Sequence, residues 1–268
     1  MKAYISIFRI RMQEALQYRA AAWAGVCTQF FWGFMRIMIY QAFYESSDRV
    51  MPMEFGQLCT YIWLQQAFLH CFELWAGRDG ELFAKITDGS VAYELCRPME
   101  LYHHWFARIL AGRMGGAALR CVPLLAVTVF LPYPYRLLLP QSAGQLLVFA
   151  AALVTGTMIT AAVSMLIYVL TFKTLNPSGT LTVFAAVSEL FAGTLVVLPF
   201  MPQGLQNVAV LLPFRYMADF PFRVYSGDIA LADSLWQLGV ALAWLVVLML
   251  IGSWGMKRVL RSVVIQGG

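Results

Sequence analysis

Six stretches of the chain are apolar over the roughly 20 residues a helix needs to cross a hydrocarbon layer: 22–44, 57–76, 106–131, 145–171, 179–200 and 235–256. Arg108, Arg113 and Arg120 punctuate the third, so its limits are the least sharp. No stretch between spans is long and polar enough for an independent soluble domain. The pattern predicts an all-α integral membrane protein with six transmembrane helices, forming one domain over 1–268.

Ahead of the first span, Tyr4, Ile5, Phe8, Met12, Ala15 and Leu16 recur at helical spacing, while Arg9, Arg11, Gln13 and Gln17 fall largely elsewhere on the wheel. An amphipathic helix over 1–20, with basic flanks, suits the plane of the lipid headgroups. A plain extension of the first span is the alternative. The region 78–104 is punctuated too. Leu82, Phe83 and Ile86 make a short apolar face, Asp88-Gly89 stops that helix, and Ser90 is placed to cap a second helix that Arg97-Pro98 ends. The segment 201–234 contains the short apolar run 208–212 among Pro202, Pro213 and Pro221. It predicts a re-entrant helical hairpin, which requires protein or water to satisfy its backbone; an outer loop with one surface helix is the other reading.

Composition sharpens the class. The 268 residues are 60% hydrophobic and 12% charged, against about 45–50% and about 25% in soluble domains. Too little polar surface is left to coat a water-soluble enzyme. The net charge of +5 does not gather into a nucleic-acid-binding face. It follows membrane sidedness instead. With the N-terminus inside, Lys2, Arg9, Arg11, Arg19, Arg78, Lys85, Arg97, Arg108, Lys173, Lys257, Arg258 and Arg261 are cytoplasmic, and only Arg49, Arg136, Arg215 and Arg223 lie outside. By the positive-inside rule both termini are expected in the cytoplasm. No cleavable signal peptide is expected, because residues 1–19 contain no apolar core of the needed length.

Candidate chemistry is sparse. Arg36, Glu73 and Glu189 stand within apolar spans, where a charge costs about 2.5–3.5 kcal/mol on insertion scales, so such groups face protein or water. Arg36 and Glu189 fall at depths that an arginine can bridge, predicting an ion pair within or between subunits, structural or beside a translocation path. Glu73 is close enough to its span end to snorkel. Arg113 is expected at the cytoplasmic interface, and the deeper Arg120 needs a partner such as Glu73. His103-His104 read as an interfacial anchor pair, Gly112 and Gly116 as a close-approach motif. Trp75 is among the aromatics placed at span ends. The five cysteines lack metal-ligand or disulfide spacing, and no metal site is expected.

Taken together, the chain resembles the permease subunit of the ABC-2 family of ATP-binding-cassette exporters, with the drug- and viologen-export-like branches nearest. The resemblance rests on the order of elements and on two stretches, Ile86-Thr-Asp-Gly89-Ser-Val91-Ala-Tyr-Glu-Leu95-Cys-Arg97-Pro98 and Leu212-Pro213-Phe214-Arg-Tyr216, the latter followed by Phe220-Pro221 and Tyr225-Ser-Gly227. It implies coupling to an ATPase through Leu82, Phe83, Ile86, Gly89, Val91, Tyr93, Leu95, Arg97 and Pro98. It also implies an external hairpin built around Pro213, Phe214, Pro221 and Gly227; Arg36, Glu73 and Glu189, singled out as charges within apolar spans, are the candidates for a translocation path. None of the lysines Lys2, Lys85, Lys173 and Lys257 sits in a phosphate-cradling loop. ATP and magnesium are therefore expected on a separate ABC ATPase subunit, in two copies, with a second permease subunit, identical or related. The implied setting is the bacterial cytoplasmic membrane, and the cargo an amphipathic or lipophilic drug, peptide or lipid-like molecule. A secondary transporter driven by an ion gradient is the alternative; it predicts paired repeats with broken helices, and no convincing internal repeat is present.

Overall fold

The computed structural model describes residues 2–17, 19–46, 50–74 and 80–261. Arg49, Trp75 and Arg78 lie outside them, as do the side chains of Lys2, Ala15, Leu16 and Arg19. Among the described residues the chain is helical, with no strand. Its helices are α1 (Lys2–Gln17), α2 (Arg19–Ser46), α3 (Phe55–Ala67), α4 (Leu69–Phe72), α5 (Gly80–Thr87), α6 (Val91–Leu95), α7 (Leu101–Val129), α8 (Ala143–Thr174), α9 (Pro177–Phe191), α10 (Gln203–Leu211), α11 (Asp219–Ser226) and α12 (Leu231–Leu260), with 3-10 turns at Leu198–Phe200 and Pro213–Met217. Three of these helices, α7, α8 and α12, are long and apolar enough to cross a membrane.

Helix α8 is the axis of the packing. α7, α12, α11, α9 and α4 all lie against it, and most of its length is buried. Ser142 starts it, its hydroxyl accepting from Gln145 N at 3.1 Å, as an N-cap should. Its hydroxyl side chains are satisfied locally. Thr155, Thr157, Thr160, Ser164 and Thr171 each donate to the carbonyl four residues back, at 2.7–3.0 Å, so a polar side chain crosses an apolar layer without an orphan donor. The same chain turn then caps α9, with Asn176 Oδ1 accepting from Gly179 N at 3.3 Å and Pro177 at the first helical position.

Two predicted spans depart from a single helix. The second is divided at Phe68 (φ −106°, ψ 18°) into α3 and α4, and the chain is extended by Glu73. Neither glycine nor proline marks the break. The Phe68 ring is instead held between Phe149 and Phe222, 5.9 and 6.5 Å away. The fifth predicted span ends early: α9 stops at Phe191, well short of residue 200, and a turn leads into the 3-10 segment. Tyr61 and Gln65 of α3 donate to the Gly193 carbonyl at 3.3 and 3.1 Å, which fixes the turn from a neighbouring element.

Helix α1 packs along α7, with Tyr4 on His103 at a ring separation of 6.3 Å. Its half-buried positions are Tyr4, Ile7, Phe8, Arg11 and Met12. Ile5, assigned to the apolar stripe, is 64% exposed, so the stripe turns one position and is covered by protein. Helices α2 and α3 meet where Trp63 lies across Gly33: a Cβ there would come within 2.5 Å of the indole. Phe30 and Phe34 flank that ring at 5.3 and 5.1 Å.

Candidate functional site: a polar-lined cavity and a helical connector

A cavity of about 1070 Å³ opens between α2, the broken α3–α4 pair, α7 and α9. Its apolar lining includes Trp32, Leu69 and Phe72. Into this surface project Gln29, Arg36, Gln65, Gln66, His70, Glu73, Arg120 and Glu189, a concentration of polar groups that apolar helices do not otherwise show. All three residues expected near a translocation path, Arg36, Glu73 and Glu189, therefore reach one cavity.

Their pairing differs from the expectation. Arg36 and Glu189 form no ion pair. The Arg36 guanidinium donates to Gln65 Oε1 and, at 3.5 Å, to the Leu195 carbonyl; the helix end at Phe191 redirects the chain so that a backbone acceptor occupies the place assigned to the carboxylate. Gln65 in turn donates to Gly193 O at 3.1 Å, so its amide holds both the arginine and the turn. Glu189 is exposed at the cavity. Glu73 is not within a helix but in the extended residue that closes α4. Arg120 lies across Gly25 and contacts the His70 imidazole. Arg113 is covered by protein: it is 1% exposed, donating to the Glu73 carbonyl at 2.7 Å and to Ser164 Oγ at 3.0 Å. The glycine motif on α7 does not join two backbones either. Gly112 faces open space, and Gly116 accommodates the His70 ring.

The connector 80–98 forms the second feature. Leu82, Phe83, Ile86 and Val91 are buried, and Phe83 packs on Tyr168 at 4.8 Å between ring centres. The apolar face assigned to an ATPase groove is thus turned inward and anchors the connector to α8. Gly89, at φ +77°, makes the reversal between α5 and α6, a backbone region that L side chains avoid. Ser90 occupies the cap position without using its side chain; its N–H instead donates to Asp88 Oδ1 at 2.8 Å. Tyr93 is 80% exposed, and Leu95, Arg97 and Pro98 are exposed beside it.

The model of one protein family, described as ABC-2 family transporter protein, matches residues 30–267. The chain belongs to the ABC-2 transporter family. It is a multi-pass membrane protein and a permease component of an ABC transporter. No curated protein and no solved structure matches the chain.

In this ABC-2 permease the connector is tied to the membrane helices by Glu94, a residue of the connector motif to which the sequence pattern gives no role of its own. Its carboxylate is buried, with Oε1 accepting from Lys85 Nζ at 2.5 Å and Oε2 from the Trp105 indole at 2.9 Å. His104 Nδ1 lies 3.2 Å from Oε2. One side chain of α6 thus joins α5 to the start of α7. His104, read as an interfacial anchor with His103, belongs to this buried cluster; His103 contacts Glu100 at 2.8 Å on the surface. Beyond it, Arg108 pairs with Glu81. Burial pushes the Glu94 carboxyl up, but the Lys85 ammonium and the Trp105 N–H more than offset this, and its pKa lies below the ordinary value. A depressed carboxylate pKa contributes stability that is complete above the unfolded value, about 4.3, and is lost as pH falls through the folded value. The connector is accordingly expected to stay protected down to about pH 4.3 and to open in more acidic solution. Hydrogen exchange over 80–98 across a pH series tests this; opening already near neutrality would contradict it.

The segment 201–234 of the permease is equally ordered from within. Pro213 starts its 3-10 turn, and Phe220, Phe222 and Val224 are fully buried. Phe222 meets both Tyr61 and Phe72 at 5.8 Å, and Gln145 donates to the Val224 carbonyl at 2.7 Å. Phe214 is half-buried, and Pro221 is tolerated in the first turn of α11, where its missing N–H has no helical partner to lose. Gly227 closes α11 at φ +81°. Asp219, with no exposure, accepts from Tyr61 at 3.3 Å and lies 3.5 Å from Arg223, which also bonds Asp228 at 2.5 Å. No group of metal-binding side chains is present among the described residues.

Proposed function

We propose that this permease moves an amphipathic or lipophilic cargo outward, by alternating access through the cavity between α2, α3–α4, α7 and α9. Power comes from a separate ABC ATPase, two copies of which bind ATP and magnesium. Two permease subunits, identical or related, enclose the path, and this chain performs no covalent chemistry. The reading extends the three long helices to six crossings by adding α2, the α3–α4 pair and the α9 region, with both termini in the cytoplasm of a bacterial cell and the 201–234 hairpin re-entering from outside. The resemblance to drug and viologen exporters supports a drug-, peptide- or lipid-like cargo.

The observation that carries the proposal is the convergence of Arg36, Glu73 and Glu189 on one cavity. Charged groups in apolar helices are costly unless water, protein or a polar passenger meets them. Mechanical input enters at the exposed edge of the connector. Tyr93, Leu95, Arg97 and Pro98 are free to seat on an ATPase, whereas Leu82, Phe83, Ile86 and Val91 transmit its movement to α8. Gly89 keeps the two connector helices at a fixed angle.

Tyrosine and arginine are the residue types most often dominant at interfaces, each worth upward of 2 kcal/mol where they anchor. The pair substitution Tyr93→Ala and Arg97→Ala is therefore expected to weaken ATPase association by roughly tenfold or more, without changing the stability of the permease alone. Titration of the purified ATPase against the permease in nanodiscs checks both quantities. Undiminished association would remove the exposed connector edge from the coupling path.

A further inference from the structure

The charges lining the cavity are not equivalent. Arg120 is engaged by His70 and lies in the field of Glu73. Arg36 is oriented by Gln65 and the Leu195 carbonyl, both neutral acceptors, and makes no ion pair among the described residues. Glu189, on the α9 wall of the same cavity, makes no side-chain hydrogen bond or ion pair among the described residues. The cavity thus offers one uncompensated cation and one uncompensated anion, beside the apolar surfaces of Trp32, Leu69 and Phe72.

We infer that the cavity binds a zwitterionic amphiphile, its anionic group against Arg36, an ammonium against Glu189, and its apolar part on Trp32, Leu69 and Phe72. This deepens, and rests on, the proposal that the cavity is the cargo path. An anion gains the remaining N–H donors of a guanidinium already held in place, so little orientation entropy is lost. The positive group carries N–H donors, because the facing carboxylate is an acceptor. A purely cationic cargo leaves Arg36 unmet, a purely anionic one leaves Glu189 unmet, and a neutral hydrocarbon leaves both. A zwitterionic lipid headgroup and a free amphiphile share this chemistry.

Three short-chain probes of equal tail test the inference: hexyl phosphoethanolamine (zwitterion), hexylamine (cation) and hexyl phosphate (anion). Binding to the full-length permease in nanodiscs, without ATP, is followed by saturation-transfer magnetic resonance. The zwitterion is expected to bind roughly tenfold more tightly than either singly charged probe, the gain of one additional charged hydrogen-bonding contact. Arg36→Gln should shift the preference to hexylamine, and Glu189→Gln to hexyl phosphate. The wild-type ranking needs no variant, so a substitution that impairs folding does not blunt the test. If phosphatidylethanolamine in the disc displaces the zwitterionic probe while phosphatidylglycerol does not, the occupant is a bilayer headgroup; equal affinity in both discs points to a free amphiphile. Equal binding of the three probes overturns the inference. So does a ranking unchanged by both substitutions, as expected if Arg36 and Glu189 only pair across two copies. ATP-driven movement is measured separately in proteoliposomes. Its loss with the ranking intact strikes the export reading, whereas efflux with no charge preference strikes the inference alone.

Discussion

Glu94→Ala is expected to destabilise the permease by about 3 kcal/mol, the scale on which removing one partner strands a buried charge. The substitution leaves Lys85, the Trp105 indole and His104 facing a hole where both carboxylate oxygens had been used. Lys85 keeps a second acceptor in Glu81, 3.3 Å away, but Glu81 is on the same helix and cannot hold α5 to α6 and α7. Trp105 has no comparable alternative and is fully buried. Glu94→Gln should fall between, since an amide oxygen can still accept from the indole while the charge opposite Lys85 is lost. Trp105→Phe removes the indole hydrogen bond together with part of the ring, and the hydrogen-bond share of its cost is expected to be about 1 kcal/mol. Chemical unfolding in mild detergent orders the three variants, and limited proteolysis at 80–98 shows whether the connector opens first. A near-neutral Glu94→Ala would mean that the apolar anchors Leu82, Phe83 and Ile86 hold the connector unaided.

The second large effect is expected from Gly156→Val. A Cβ at this position of α8 would stand 2.5 Å from the Tyr216 carbonyl oxygen and 2.9 Å from that of Met217. Both obstacles are backbone, so no rotamer change relieves the contact. The 3-10 turn at Pro213–Met217 must lift from α8, taking with it Tyr216, Met217 and the entry to α11, all buried. Overpacking of this kind costs about 1–3 kcal/mol, and here the upper end applies because backbone must move. Gly156→Ala carries the same clash with a smaller side chain and should retain most of the loss. Gly112→Ala is the control: nothing lies within 4 Å of its Cβ position, and the better helix propensity of alanine should leave stability equal or up to about 1 kcal/mol higher. Thermal unfolding of the three variants in bicelles, with the wild type, checks the order.

Much of the helix content was legible from apolar runs alone. The segments 106–131, 145–171 and 235–256 correspond to α7, α8 and α12 with ends displaced by a few residues, and Ser142 is a cap signal that would have tightened the start of α8, as Asn176-Pro177 would that of α9. What could not be read lies where contacts from distant elements outweigh local pattern. Nothing local to Phe68 announces a break; its ring is fixed by Phe149 and Phe222, far away in sequence. The early end of α9 depends on Tyr61 and Gln65 reaching Gly193. That redirection also removes Glu189 from Arg36, so one unforeseen turn accounts for a missing ion pair.

The connector shows the same division. Its two helices and the Gly89 reversal follow from spacing and backbone chemistry, but a one-dimensional pattern does not say whether an apolar face turns toward a partner or toward its own protein. Leu82, Phe83 and Ile86 turn inward. Glu94 stands in the connector motif with no role that spacing alone can assign, because Lys85, Glu94 and Trp105 are brought together only by the folded connector.

The account turns on a permease driven by a separate ATPase. Purification from the native membrane in mild detergent, followed by native mass spectrometry and ATP hydrolysis, tests this most directly. The expected result is a complex of two permease subunits with two ATP-binding subunits, hydrolysing ATP. Recovery of this chain alone, with no ATPase and with cargo movement that follows an imposed ion gradient, would contradict it.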